Sequence, residues 1–241
     1  PEFSPEDIRY SVIRYITNPI QNAQGPHVHD PRTGEILESD ILWYHNIQSL
    51  LRSWYTIQTG GYRSDARSAR LPDEVMGELI RYVAAHEVGH TLGFPHNWGA
   101  SAAYPVDSLR SASFTQRMGV SPSIMDYSRF NYVRQPEDRD VPFATKIGPY
   151  DRHAAEWGYR WFPAYLTPAE ERERLDAWLK RRTDDPVYFY GRQTSVAAQV
   201  DPRSQREDIG DDPVRASSYG IDNLKRVADG LLDWTHVDGA D

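Results

Sequence analysis

The chain has 241 residues, 27 Lys+Arg against 35 Asp+Glu for a formal net charge of −8, and no cysteine. With 39% hydrophobic and 12% aromatic residues it is neither disordered nor low-complexity, and its length fits one large domain or a core with a smaller lobe. The acidic balance without a Lys/Arg-rich run excludes a nucleic-acid partner, apolar runs no longer than Ile41-Leu42-Trp43-Tyr44 exclude a membrane span, and the lack of thiols leaves His, Asp, Glu or Tyr to hold any metal.

Residues Ile8–Ile16 are rich in β-branched and aromatic types, with Ile8, Tyr10 and Val12 on one face, and predict a strand ending at Asn18-Pro19. A polar loop with Gly25-Pro26 and the turn Asp30-Pro31-Arg32-Thr33-Gly34 follow. From Glu35 to Trp43, Leu37, Ser39, Ile41 and Trp43 alternate with Glu38 and Asp40, which predicts a half-exposed edge strand. His45–Gln58 carries Ile47, Leu50, Leu51, Trp54 and Tyr55 at helical spacing and stops at Gly60-Gly61. A second helix should open near Pro72-Asp73 and run to about Leu92 before Gly93, with Val75, Leu79, Tyr82 and Val83 as its inward stripe. Gly93–Gly148 has no sustained period and reads as a long irregular segment, and segments of that kind are usually functional or disordered. Helical pattern returns at Pro149–Tyr159 and again from Thr167-Pro168 to about Arg182. An aromatic run (Val187–Tyr190), an acidic loop (Asp201–Pro213) and a last helix (Ile221 to about Trp234) complete the chain.

The chemistry is concentrated in His86-Glu87-Val88-Gly89-His90-Thr91-Leu92-Gly93-Phe94-Pro95-His96. On a helix, residues four apart project from one face, so His86 and His90 can grip a single ion. The apolar stripe runs straight into them and places them inward, where a metal removes the cost of burying an unpaired polar group. A helical continuation would carry His96 away from that face, so the chain must turn sharply, and Gly93 permits the turn through a left-handed cap. Three neutral nitrogens leave one position open, the arrangement of a catalytic zinc site. Glu87, about 100° around the helix from His86, suits a base reaching water at the metal rather than a ligand. His-Glu-x-x-His alone arises by chance in about 2% of chains of this composition; with Gly and His added at fixed offsets, coincidence falls well below about one in a thousand. The bland alternative is a buried histidine pair satisfied by ordinary hydrogen bonds.

The pattern H-E-x-x-H-x-x-G-x-x-H, with Ser123-Ile124-Met125-Asp126-Tyr127 downstream, resembles the metzincin zinc proteases and their Met-turn. Together with Asp30–Ile36 and Ile147-Gly148-Pro149-Tyr150-Asp151, it resembles the bacterial Met-zincin domain family. The resemblance implies an α+β zincin catalytic domain: a small mixed sheet, the active-site helix above the cleft, and an irregular to helical lobe below. Residues 1–96 would form the upper lobe and 97–241 the lower. It further implies Met125 as an apolar floor beneath the ligands, and Tyr127 as a residue that can ligate zinc at rest and swing to hydrogen-bond an oxyanion. A secreted or periplasmic location belongs to the same implication. Such domains usually open with a helix and a strand ahead of the two strands read here. The chain therefore reads as an excised piece of a longer protein, in keeping with its start at Pro1.

The expected function is zinc-dependent endopeptidase hydrolysis with Glu87 as general base, on an extended polypeptide added along the Glu35–Trp43 edge. The alternatives are an inactive zinc-containing peptide-binding module, against which the intact Glu87 argues, and a zinc amidase or esterase acting on small molecules. His27, His29 and His45 could form a second metal site but read more simply as solvent-exposed. His153 could touch the wall of the active site, and Asn97, immediately after His96, could hydrogen-bond within the ligand loop but reads more simply as a turn residue. Asp201, Glu207, Asp208, Asp211 and Asp212 could hold calcium, but lack calcium-loop spacing and read as a solvated loop.

Overall fold

The computed structural model describes residues 3–163, 165–192 and 201–236. It is an α+β chain whose first part supplies five short strands, β1 (Ile13–Ile16), β2 (Ala23–Gln24), β3 (His27–His29), β4 (Ile36–Ser39) and β5 (Ile41–Tyr44). They form a mixed three-stranded sheet in the order β1-β5-β2, with β1 parallel and β2 antiparallel to β5, and a separate β3-β4 hairpin.

Two strand expectations need correction. The first strand begins only at Ile13, because Asp7 folds the preceding residues into turns: its carboxylate accepts the Arg9 N–H at 3.1 Å and its carbonyl accepts the Tyr10 N–H at 2.9 Å. The stretch expected as one edge strand over Glu35–Trp43 breaks at Asp40. That carboxylate turns aside to accept the Val12 N–H at 2.9 Å and the Arg14 Nε–H at 2.5 Å. Its second half, β5, is the central strand of the sheet rather than an edge, with Ile13 opposite Ile41 on one side and Ala23 opposite Trp43 on the other.

Two long helices back this sheet. Helix α1 (Ile47–Thr59) buries Leu51 and Tyr55 completely, and α2 (Asp73–Thr91) buries Leu79, Tyr82 and Val83. Asp73 and Glu74 in the first turn of α2 complement the positive end of its dipole. These side chains join Ile41, Trp43, Met125, Phe130 and Phe143 in one core, which draws on residues from both sides of position 96. Each fully buried Leu, Val or Phe there contributes about 1.5–3 kcal/mol relative to exposure.

The segment expected to be irregular, Gly93–Gly148, holds two short helices, α3 (Val106–Leu109) and α4 (Ala112–Met118), the latter capped by Ser111. They anchor a second core of Tyr104, Val106, Leu109, Val120, Val133, Ile209 and Ala216. Helix α5 spans Pro149–Tyr159 and α6 Pro168–Lys180, the latter opened by a Thr167/Glu170 capping box. Val187–Tyr190 is mostly a single 3₁₀ turn, Pro186–Tyr188. The last helix, α7 (Pro213–Thr235), starts two turns earlier than expected: Asp212 accepts the Arg215 N–H at 3.0 Å and Pro213 fills the first helical position. Asn223 ties α7 to the lower core through Nδ2–H bonds to the Tyr132 and Arg134 carbonyls at 2.9 and 2.8 Å. No described helix is long and apolar enough to cross a membrane.

Candidate metal centre

Helix α2 carries His86 and His90 one turn apart on its inward face, with ring centroids 4.7 Å apart. It ends in a Schellman cap. The Gly93 N–H donates to the His90 carbonyl at 2.8 Å, the Phe94 N–H donates to the Gly89 carbonyl at 3.0 Å, and Gly93 sits at φ +83°. That turn reverses the chain and brings His96 back, its ring 4.6 Å from His90 and 5.2 Å from His86. The three imidazoles each offer a nitrogen within 4.8 Å of the others.

Their other contacts decide which nitrogens face inward. The Nδ1 of His86 lies 2.7 Å from the Ile124 carbonyl and the Nδ1 of His90 lies 2.8 Å from the Phe94 carbonyl, which fixes both as donors and leaves Nε2 as the free lone pair. The His86 Nε2 is buried without a hydrogen-bond partner, and the Nε2 atoms of His90 and His96 stand 3.2 Å apart. Two nitrogens tetrahedrally bound to zinc at about 2.0–2.1 Å lie about 3.3 Å apart. The orphaned buried nitrogen and this spacing fit a zinc ion. Burial lowers the His86 pKa to about 3 and shifts His90 the same way, so both stay neutral at pH 7 as ligation requires.

Beneath them lies Met125, 2% exposed, whose sulfur packs so closely under Gly89 that a Cβ there would overlap it. The Met-turn is held by Asp151 at the start of α5, whose carboxylate accepts the Ser123 Oγ–H at 2.6 Å, the Ile124 N–H at 2.8 Å and the Gly148 N–H at 2.7 Å. Asn97 does more than turn the chain. It is fully buried, its N–H donates to the Met125 carbonyl at 3.1 Å, its Nδ2–H donates to the Phe189 carbonyl at 3.0 Å, and its Oδ1 accepts the Gly191 N–H at 2.8 Å. One side chain thus joins the ligand loop, the Met-turn and the segment after α6. Trp98 stacks on the His96 ring at 4.3 Å.

Glu87 is 6% exposed. Burial raises its pKa to about 7, opposed by a hydrogen bond from the Gly25 N–H. Gly25 sits so tightly on α2 that a Cβ would come within 2.5 Å of the Glu87 carbonyl oxygen and 3.1 Å of the His90 Cβ. Tyr127 lies beside the triad, its ring 4.8 Å from His96 and 5.4 Å from His86. The Arg129 guanidinium braces it, sandwiched between the Trp54 and Tyr127 rings at 3.8 and 3.9 Å and paired with Glu207. His86, Glu87, Tyr127 and Arg129 line a small cavity of about 50 Å³, roomy enough for water. A larger cavity of about 1090 Å³ is walled in part by Phe94, Pro95, Met125, Tyr150, His153 and Trp157.

Each candidate residue has a place. His86, His90 and His96 converge, with Glu87, Tyr127 and Met125 around them. His153 lines the larger cavity and stacks on Trp178 at 4.1 Å. His45 is bonded to the Tyr15 hydroxyl. The five acids considered for calcium each have a partner: Asp201 pairs with Arg203, Glu207 with Arg129, Asp208 accepts the Ser101 hydroxyl, Asp211 accepts the Val106 N–H, and Asp212 caps α7. The hydrogen bonding considered for Asn97 is present, whereas Gly25, Gly89 and Asp151 are supports of the site that the sequence does not single out. The only local signal was glycine at position 89 in mid-helix, where it is unfavourable without a packing reason.

A helix bearing two histidines on one face, a left-handed glycine turn returning a third beside them, and a buried methionine packed under that helix are the features of a metzincin-type metal centre. The chain belongs to the Met-zincin family, whose sequence model matches residues 68–241. The strands and α1 lie outside that match, as does the Asp30–Ile36 stretch. Neither a curated protein nor a solved structure matches the chain. Family and triad together give a zinc-metallopeptidase-like protein.

Proposed function

We propose that the chain is a zinc metalloendopeptidase, with His86, His90 and His96 as ligands and Glu87 as general base. The observation that carries this reading is the small cavity shared by His86, Glu87 and Tyr127, which sets a buried carboxylate and a phenol beside the first histidine of the triad. Bound zinc supplies acidification of water to a pKa of about 7 and polarisation of a carbonyl. Glu87, oriented by the Gly25 amide, accepts the proton of the attacking water and returns it to the leaving amine. Tyr127 donates its hydroxyl to the oxygen on which negative charge develops. The larger cavity draws its lining from both sides of position 96, and the extended substrate follows β4 (Ile36–Ser39), the part of the expected strand that borders it.

Incubating the zinc-loaded chain with an unfolded protein and mapping the new α-amino groups by mass spectrometry tests this proposal. Internal cleavage is the expected result. Hydrolysis of small amides or esters alone would replace the endopeptidase with an amidase or esterase, and bound zinc without hydrolysis would leave a peptide-binding module.

A further inference from the structure

We propose that His27 and His29 form a second, weaker binding site for a divalent transition metal (Zn²⁺, Ni²⁺ or Cu²⁺) on the rim of the large cavity. Both residues are in β3, two positions apart, and both rings line that cavity while the intervening Val28 does not. The strand is fixed by pairing with β4, His27 opposite Ser39 and His29 opposite Ile36, with a register shift between Val28 and His29 that re-aims the second ring. The two rings lie with centroids 5.4 Å apart and planes tilted at 47°. Two imidazoles sharing one tetrahedral ion at about 2.0–2.1 Å have centroids about 5 Å apart, close to what is seen here and to the 4.6–5.2 Å separations within the triad. Both histidines are exposed, so no buried proton must be displaced and neither ring must leave a core.

Imidazole pairs of this kind suit zinc, nickel and copper rather than magnesium or calcium. Two protein nitrogens leave the remaining positions to water, which makes the site weaker than the triad. Its position gives it a consequence. Gly25, two residues before His27, packs directly on Glu87 and His90, and the cavity is also lined by Gly93, Phe94 and Pro95 of the ligand loop. A metal held by His27 and His29 therefore stands beside the ligand loop and narrows the cavity that the loop walls. The binding site itself does not depend on the proposed hydrolysis.

Two measurements test it. Calorimetric titration of the metal-free chain with zinc should show two classes of site, one equivalent each. His27→Ala or His29→Ala should leave only the tight one, and His45→Ala should keep both. With the triad filled by zinc, added Cu²⁺ should give an electron paramagnetic resonance spectrum with two imidazole nitrogens that disappears in His27→Ala. A single class in the wild type, or a weak class unchanged by both alanine variants, overturns the proposal. A weak class present in the wild type and in His45→Ala and lost from His27→Ala and His29→Ala supports it, whether or not the chain cleaves peptides.

Discussion

Replacing Gly25 by alanine places a methyl group 2.5 Å from the Glu87 carbonyl oxygen and 3.1 Å from the His90 Cβ. The first neighbour is helix backbone, which cannot swing away, so the turn between β2 and β3 must lift off α2 by about 1 Å to restore normal contact. Overpacking of this kind costs about 1–3 kcal/mol. Lifting the turn also draws away from the Glu87 carboxylate the Gly25 N–H that lowers its pKa. A loss of about 2 kcal/mol in a chain of this size lowers Tm by about 4–8 °C. Displacing the base by about 1 Å lowers turnover about 100-fold. The triad rests on α2 and the ligand loop, so zinc content should stay at wild type. Gly34→Ala is the control. Gly34 lies at φ +77° with open space within 4 Å of where a Cβ would stand, so alanine there costs about 1–2 kcal/mol of backbone strain without touching Glu87. Thermal denaturation, zinc content and peptide hydrolysis on both variants decide the matter. Wild-type turnover by Gly25→Ala, or an equal loss of turnover in Gly34→Ala, would refute the reasoning.

Removing the metal exposes the unpartnered His86 Nε2, so at a zinc concentration of about 1,000 Kd the metal should stabilise the fold by about 4 kcal/mol. Scanning calorimetry with and without a chelator should show that shift in the wild type and none in His86→Ala. Asn97→Leu keeps the number and branching of the side-chain heavy atoms but leaves the buried Gly191 amide and Phe189 carbonyl without their partner, at about 1–3 kcal/mol each, readable by urea denaturation. His153 has its pKa lowered by burial and by Arg182, so the folded state favours the neutral ring while the unfolded chain takes up a proton below about pH 6.5. Stability should fall as the pH drops below that value, and less steeply in His153→Gln when urea midpoints at pH 7 and pH 5 are compared.

What the sequence revealed is what short-range physics controls. Helix α2 begins at the Pro72-Asp73 signal and stops before Gly93, and the triad follows because ligands four residues apart and a glycine turn are local geometry. The Thr167/Glu170 capping box announced α6 in the same way. Alternation over Glu35–Trp43 was also real, but Asp40 serves the backbone of Val12, a partner 28 positions away that periodicity does not contain. Asp212 was counted with its acidic neighbours, which hid its role as the cap of α7. The supports of the metal centre share that character: Gly25 meets α2, Asn97 reaches Phe189 and Gly191, and Asp151 clamps the Met-turn. Each acts across long sequence separations, so only the folded chain displays it.

The most direct test of a zinc peptidase with Glu87 as its base compares cleavage of an unfolded protein by the zinc-loaded wild type and by Glu87→Gln, with zinc measured in both. Glutamine keeps the shape of the side chain and leaves the three histidines untouched, but cannot accept the proton. Equal zinc with cleavage by the wild type alone is the predicted result. Cleavage by Glu87→Gln at the wild-type rate would contradict it.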